Sequence, residues 1–223
     1  SVSRGLGDVY KRQMHIQIIK SGKFGFFIML LILLPLCGNI DYVLGLWLVD
    51  VPAHTANFVV LVLLYSLLDG ILTPIAIGVF AQGEIKAYEI ALCIIYAVNF
   101  IASYVCLKLG MAPETVFVLN IAFKACVLAD LLVHSKAKYA FPVHAFLKQC
   151  LLPSAVVFVL SGAFTYFMPW EAPNSFWEFL LHTLAIIICT SLMALAIGMT
   201  KGERIFLKKN LRDKITVKLY RKI

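Results

Sequence analysis

The chain has 223 residues, 61% of them hydrophobic and only 14% charged, with a formal net charge of +8 and a mean hydropathy of +0.90. Water-soluble domains average roughly 45–50% apolar and 25% charged residues, so this surplus of apolar side chains exceeds what a chain of this length can bury; a soluble fold is excluded and a bilayer is the expected solvent. The positive charge does not mark a nucleic-acid partner, because nearly half of the Lys and Arg follow Met199 and most of the rest flank apolar runs, as membrane topology requires.

In chain order, "SVSRGLGDVYKRQ" comes first. It has neither an apolar period nor a cleavage-site pattern, so it is not a signal peptide. Ser3 to Gln13 resembles the in-frame translation of a transposon-type sequencing adapter. Residues 1–13 are therefore read as an assembly scar, Met14 as an arbitrary start, and the chain as the C-terminal piece of a longer protein.

Six apolar runs follow, each long enough for roughly 30 Å of hydrocarbon. They are predicted near Phe24–Leu46, Asn57–Phe80, Ala87–Leu107, Thr115–His134, Cys150–Met168 and Phe176–Met199. The joints carry turn and breaker residues, as in "VDVPAH", "AQGEIK" and "PWEAPNS". The expected fold is an all-α polytopic membrane protein whose transmembrane region covers residues 14–200, with a basic tail from 201 to 223. Lys20 and Lys23 precede the first span, Lys86 marks one joint, and Lys136, Lys138 and Lys148 mark another. The alternate joints hold Asp50, Glu114, Glu171 and Glu178, with Lys108 as their one base. Both ends are thus expected on the cytoplasmic side, with Trp47, Trp170 and Trp177 at the outer interface.

Pro35 and Gly38 are expected to interrupt the first span, and Gly70 and Pro74 the second, because proline removes an amide donor and leaves a carbonyl to find another partner. Asp69 lies near the middle of the second span and Lys124 at similar depth in the fourth. Each costs roughly 2.5–3.5 kcal/mol at a helix centre, so the simplest arrangement pairs them inside the bundle. Asn99 and Asn120, also mid-span, can join them by hydrogen bonding. Two readings stay open: residues of a transport cavity, or an ion pair that only fixes helix register. Asp41 and Asp130, nearer the interfaces, read as solvated span ends.

The six cysteines form no CxxC pair and have no His at ligand spacing, so they read as apolar filler rather than a disulfide or metal framework. His54, His134, His144 and His182 are scattered without an acidic partner at a telling spacing. No Gly-rich phosphate loop is present. No catalytic residues, metal or cofactor are expected, and the chain is not read as an enzyme. After the last span, Leu207, Leu211, Ile215 and Leu219 recur every fourth residue among Lys and Arg, which fits an amphipathic helix on an anionic leaflet.

The order of segments carries a family likeness. "LPLCGNIDYVLGLWLVDVPAHT", "YSLLDGILTPIAIGVFAQGEIKAYEI", "NFIASYVCLKLGMAPETVFVLNI" and the closing "GMTKGERIFL" together resemble the C-terminal half of bacterial Wzx-like polysaccharide (O-antigen repeat-unit) flippases. Their superfamily includes the multidrug MATE exporters and the lipid II flippase. The resemblance implies two helical lobes around a cavity that opens alternately to each face of the bacterial inner membrane. It implies movement of an undecaprenyl-diphosphate-linked oligosaccharide, with possible coupling to H+ or Na+. Lys124 is then a candidate contact for phosphate or sugar, and Asp69 its partner or an ion-coupling site. The chain would hold about four helices of the second lobe and two further ones. Its partners would be the lipid-linked oligosaccharide, membrane lipids, the missing N-terminal lobe and polysaccharide polymerase machinery. The competing readings are a cation-coupled drug exporter, a membrane enzyme of the same assembly route, and a structural subunit.

Overall fold

The computed structural model describes residues 2–83, 85–168, 173–200 and 202–205, with side chains from residue 9 onward. Among the described residues all regular structure is helical: α1 (Val2–Gly38), α2 (Ile40–Gly45), α3 (Thr55–Phe80), α4 (Ile85–Lys108), α5 (Thr115–Tyr139), α6 (Val143–Phe146), α7 (Leu152–Phe167) and α8 (Phe176–Met193). A π turn, Leu147–Leu151, joins α6 to α7, and a second, Ala194–Gly198, continues α8. Six helical stretches are long and apolar enough to cross a membrane: Val9–Gly38, Thr55–Phe80, Ile85–Lys108, Thr115–Tyr139, Val143–Phe167 and Phe176–Gly198. The chain is an all-α polytopic membrane protein. The basic tail after Ile205, Trp170 and Glu171 lie outside the described residues.

Local sequence explains most boundaries. α1 stops at Gly38, where Asn39 leaves the helical region (φ −129°, ψ 29°) and its side-chain amide donates to the Pro35 carbonyl at 3.0 Å. α1 runs through Pro35 and ends at Gly38, and α3 runs from Thr55 to Phe80 with Gly70 and Pro74 inside it. α5 ends in a left-handed Ala140 (φ 52°), with the Phe141 amide donating back to the Ser135 carbonyl at 3.2 Å, and Pro142 then blocks continuation. α8 opens with a capping box: Ser175 Oγ accepts from the Glu178 amide, and Glu178 Oε2 accepts from the Asn174 amide.

The fifth crossing starts at Val143 rather than at Cys150. Pro153 has no amide for the carbonyl one turn back. The wide turn over Leu147–Leu151, where the Leu152 amide donates to the Leu147 carbonyl, keeps the helix running.

Side-chain contacts order the helices. α1 is the most enclosed span and α4 the least. α1 packs on α3 along one side and on α7 and α8 along another, α3 packs on α5, and α5 on α4. The α1–α3 crossing is made by Gly25 and Gly70, where a Cβ on Gly25 would stand 3.3 Å from the Gly70 carbonyl oxygen. Small residues at such a crossing let the backbones approach. The apolar core runs from Ile18, Phe26 and Leu30 of α1 through Leu67, Ile71 and Ile75 of α3 to Leu131 of α5 and Val157 of α7.

Candidate functional site

α3 and α5 run in the same direction, with Phe58 against Phe117 near their starts (ring centroids 5.5 Å apart) and Asp69 against Lys124 near their middles. Asp69 and Lys124 form an ion pair, in which the Lys124 ammonium donates to Asp69 Oδ1. The ammonium also lies 4.1 Å above the centroid of the Tyr65 ring, a cation–π contact one turn before Asp69 on α3. The pair is asymmetric: the Lys124 side chain is 7% exposed and that of Asp69 42%. The base is sealed and the acid opens to one side.

The amides stand beside the charges. Asn99 of α4 donates to Asn120 Oδ1 at 2.5 Å, and Asn120 lies one turn before Lys124 on the same face of α5. The four residues predicted from the sequence are thus brought into one seam, between α5 and its neighbours α3 and α4. Asn99 Oδ1 is buried without a hydrogen-bond partner. These side chains can neutralise and hold a charged or hydroxyl-rich group at membrane depth. No group of three or more His, Cys, Asp or Glu side chains suited to a metal occurs among the described residues, and the six cysteines are free thiols.

Three further polar contacts were not visible in the sequence reading. Lys23, expected as a solvated flank, is fully buried on α1 and donates to Glu203 Oε2 at 2.5 Å. The same oxygen accepts from the Thr200 amide at 2.8 Å and the Thr200 hydroxyl at 2.9 Å. Burial alone would push the Glu203 carboxyl up; Lys23 and Thr200 outweigh it and hold the group below the ordinary carboxylate range. Secondly, two of the histidines, His134 and His54, do have acidic partners. His134 Nδ1 lies 3.1 Å from Asp130 Oδ1, one turn away on α5, and Asp130 Oδ2 is buried without a partner. Asp130 is therefore enclosed rather than a solvated end, and its four-residue spacing from His134 was the readable signal. Thirdly, His54, in a left-handed conformation (φ 70°), pairs with Glu114, and Asn57 donates to the same Glu114 oxygen at 3.1 Å. Glu114 accepts from its own backbone amide as well as from Asn57 and His54, and these bonds lower its pKa from the usual carboxylate value.

A cavity of about 340 Å³ lies between α1, α3, α5 and α7, walled by apolar side chains such as Phe26, Leu67 and Phe158, with Ser154 as its one polar residue. Ser154 Oγ is buried without a partner. A second cavity, about 650 Å³, is lined partly by Tyr10 and Gln13, within the segment read as an adapter scar. Asp69, Lys124, Asn99 and Asn120 line neither of these two cavities. Comparison of the chain with protein-family models, with curated proteins and with solved structures found no match in any of the three.

Proposed function

We propose that the chain is the second-lobe portion of a bacterial inner-membrane flippase that moves undecaprenyl-diphosphate-linked repeat units from the cytoplasmic to the periplasmic leaflet for polysaccharide assembly. The observation that carries this reading is the half-open ion pair. A carboxylate 42% exposed near the middle of a span is expensive against lipid, at roughly 2.5–3.5 kcal/mol. It persists where that side faces water or another polar wall, as in a passage between two lobes. Lys124 supplies the positive charge that a diphosphate head requires, and the Asn99–Asn120 pair supplies the amides that sugar hydroxyls require. On this reading the Lys-rich turns face the cytoplasm, and Asp69 either screens Lys124 between transport cycles or takes up the coupling ion.

The test is surface polysaccharide in the bacterium that carries the gene, after deletion and re-supply. Lys124→Ala and Asp69→Asn proteins, inserted at wild-type level by immunoblot, are expected to restore less than about a tenth of the polymer, since breaking one side of a buried pair costs a few kcal/mol. Full restoration by both variants removes the pair from the mechanism.

A further inference from the structure

The contacts between α1 and the segment after α8 are independent of that transport reading. Glu203 closes a second capping box. Its carboxylate accepts from the Thr200 amide, while Thr200 Oγ1 accepts from the Glu203 amide at 3.4 Å, starting the helical turn 202–205. This pre-forms the carboxylate before it meets α1. Arg204 fastens the same turn to the end of the last crossing, donating to the Ala196 carbonyl at 2.6 Å and the Met199 carbonyl at 3.1 Å. The strap therefore moves with the end of α8, and Lys23–Glu203 is the bond that ties it to α1.

Both π turns border this contact. Gly198, at the end of one, presses on the Phe27 ring, which a Cβ there would meet at 2.3 Å. Cys150, in the other, lies beside Gly22 of α1, where a Cβ would stand 3.6 Å from the thiol sulfur. A π turn carries one residue more than an α-turn and supplies a point of bending in an otherwise stiff helix. Two helices thus have bend points next to the same ion pair. The apolar cavity begins one turn further in: Phe26 follows Lys23 on α1, and Leu151 and Ser154 follow Cys150.

We propose that Lys23 and Glu203 form a latch: the strap made by Thr200, Glu203 and Arg204 holds the start of α7 and the end of α8 closed on α1, and its release lets them swing at the π turns and opens the route past Cys150 to the cavity holding Ser154. A buried ammonium suits such a device. It cannot stay where it is without its carboxylate, so the closed arrangement is lost as a unit when the bond breaks.

Cys150, fully buried in the closed form, is a built-in reporter. The experiment uses the whole chain in nanodiscs, with Cys150 as its single thiol, and reads the rate of labelling by a water-soluble maleimide. The closed latch labels slowly. Glu203→Gln is expected to raise the rate at least about tenfold, and the charge exchange Lys23→Glu with Glu203→Lys to return it to within about twofold of wild type. Arg204→Gln, which loosens the strap without touching Lys23, is expected to raise it too and serves where Glu203→Gln does not assemble. A parallel protein carries only Cys37, near the opposite end of α1. Its rate is expected to stay constant in every variant. Rapid labelling of Cys150 in the wild type, unchanged labelling in both single variants, or an equal rise at Cys37 and Cys150 overturns the latch. Because no step involves transport, a failed flippase test leaves this result standing, and the reverse holds as well.

Discussion

Among the described residues two lysines lie buried, each with one carboxylate, and their surroundings differ. Lys23 and Glu203 are both enclosed, with side-chain exposures of 1% and 10%, whereas Lys124 is enclosed and Asp69 is open. The asymmetry predicts unequal costs for the two halves of the central pair. Asp69→Asn strands a sealed ammonium and is expected to destabilise by about 3–5 kcal/mol; Lys124→Met leaves a carboxylate that already has an open side and costs less; the double variant recovers most of the loss. Thermal unfolding of the four proteins in one detergent checks this, and equal losses in the two single variants contradict it. Asp69 and Lys124 were legible in the sequence because a charge stands out in the middle of an apolar run. Lys23 was not, because beside Lys20 it has the pattern of a solvated flank. Its partner is 180 positions away, and no local pattern points there. The capping-box spacing of Thr200 and Glu203 was readable, but not that its carboxylate would also face α1.

At the scale of helices, glycine and proline decide how closely elements approach. Pro74 deprives the Gly70 carbonyl of its amide donor, yet α3 stays continuous. That carbonyl oxygen lies against Gly25, where the absence of a side chain lets α1 come close. Gly70 thus belongs to the contact between two helices. Among the described glycines, Gly198 leaves the least room for a side chain, since a Cβ there would meet the Phe27 ring at 2.3 Å. Gly198→Ala is expected to destabilise by about 1–3 kcal/mol through overpacking, and Phe27→Leu added to it to restore most of that loss. Thermal unfolding of the single and double variants decides it: a Gly198→Ala protein as stable as wild type shows that the ring simply swings away. The fifth crossing taught a different lesson. Residues 143–149 precede the span expected at Cys150–Met168, and the π turn over Leu147–Leu151 carries the helix through them.

If all six apolar helices cross, both described ends lie on one side, together with Lys86 at the start of α4, Lys136 and Lys138 at the end of α5 and Lys148 in the π turn before α7. If Lys and Arg set the orientation here as they do generally, alkaline phosphatase fused after Val51 or Gly110 is active in cells, and fused after Gln82 or Ala140 it is inactive. The opposite pattern reverses the orientation and, with it, the direction of the proposed transport.

Composition and period alone determined that the chain lives in a bilayer, how many times it crosses, and which interior charges and amides need partners. These follow from the cost of putting polar groups in hydrocarbon, a cost each residue carries by itself. The pairing of Lys124 with Asp69 was already readable from their equal depth, but tertiary structure alone decided the other partners: Tyr65 under that ammonium, Asn120 for Asn99, Asp130 for His134, and Glu203 for Lys23. The burial of Lys23 belongs to that second kind. Lys23, expected just before the first span, lies midway along the helix Val9–Gly38, and what seals its ammonium there is a distant helix end, which depends on the three-dimensional path of the chain.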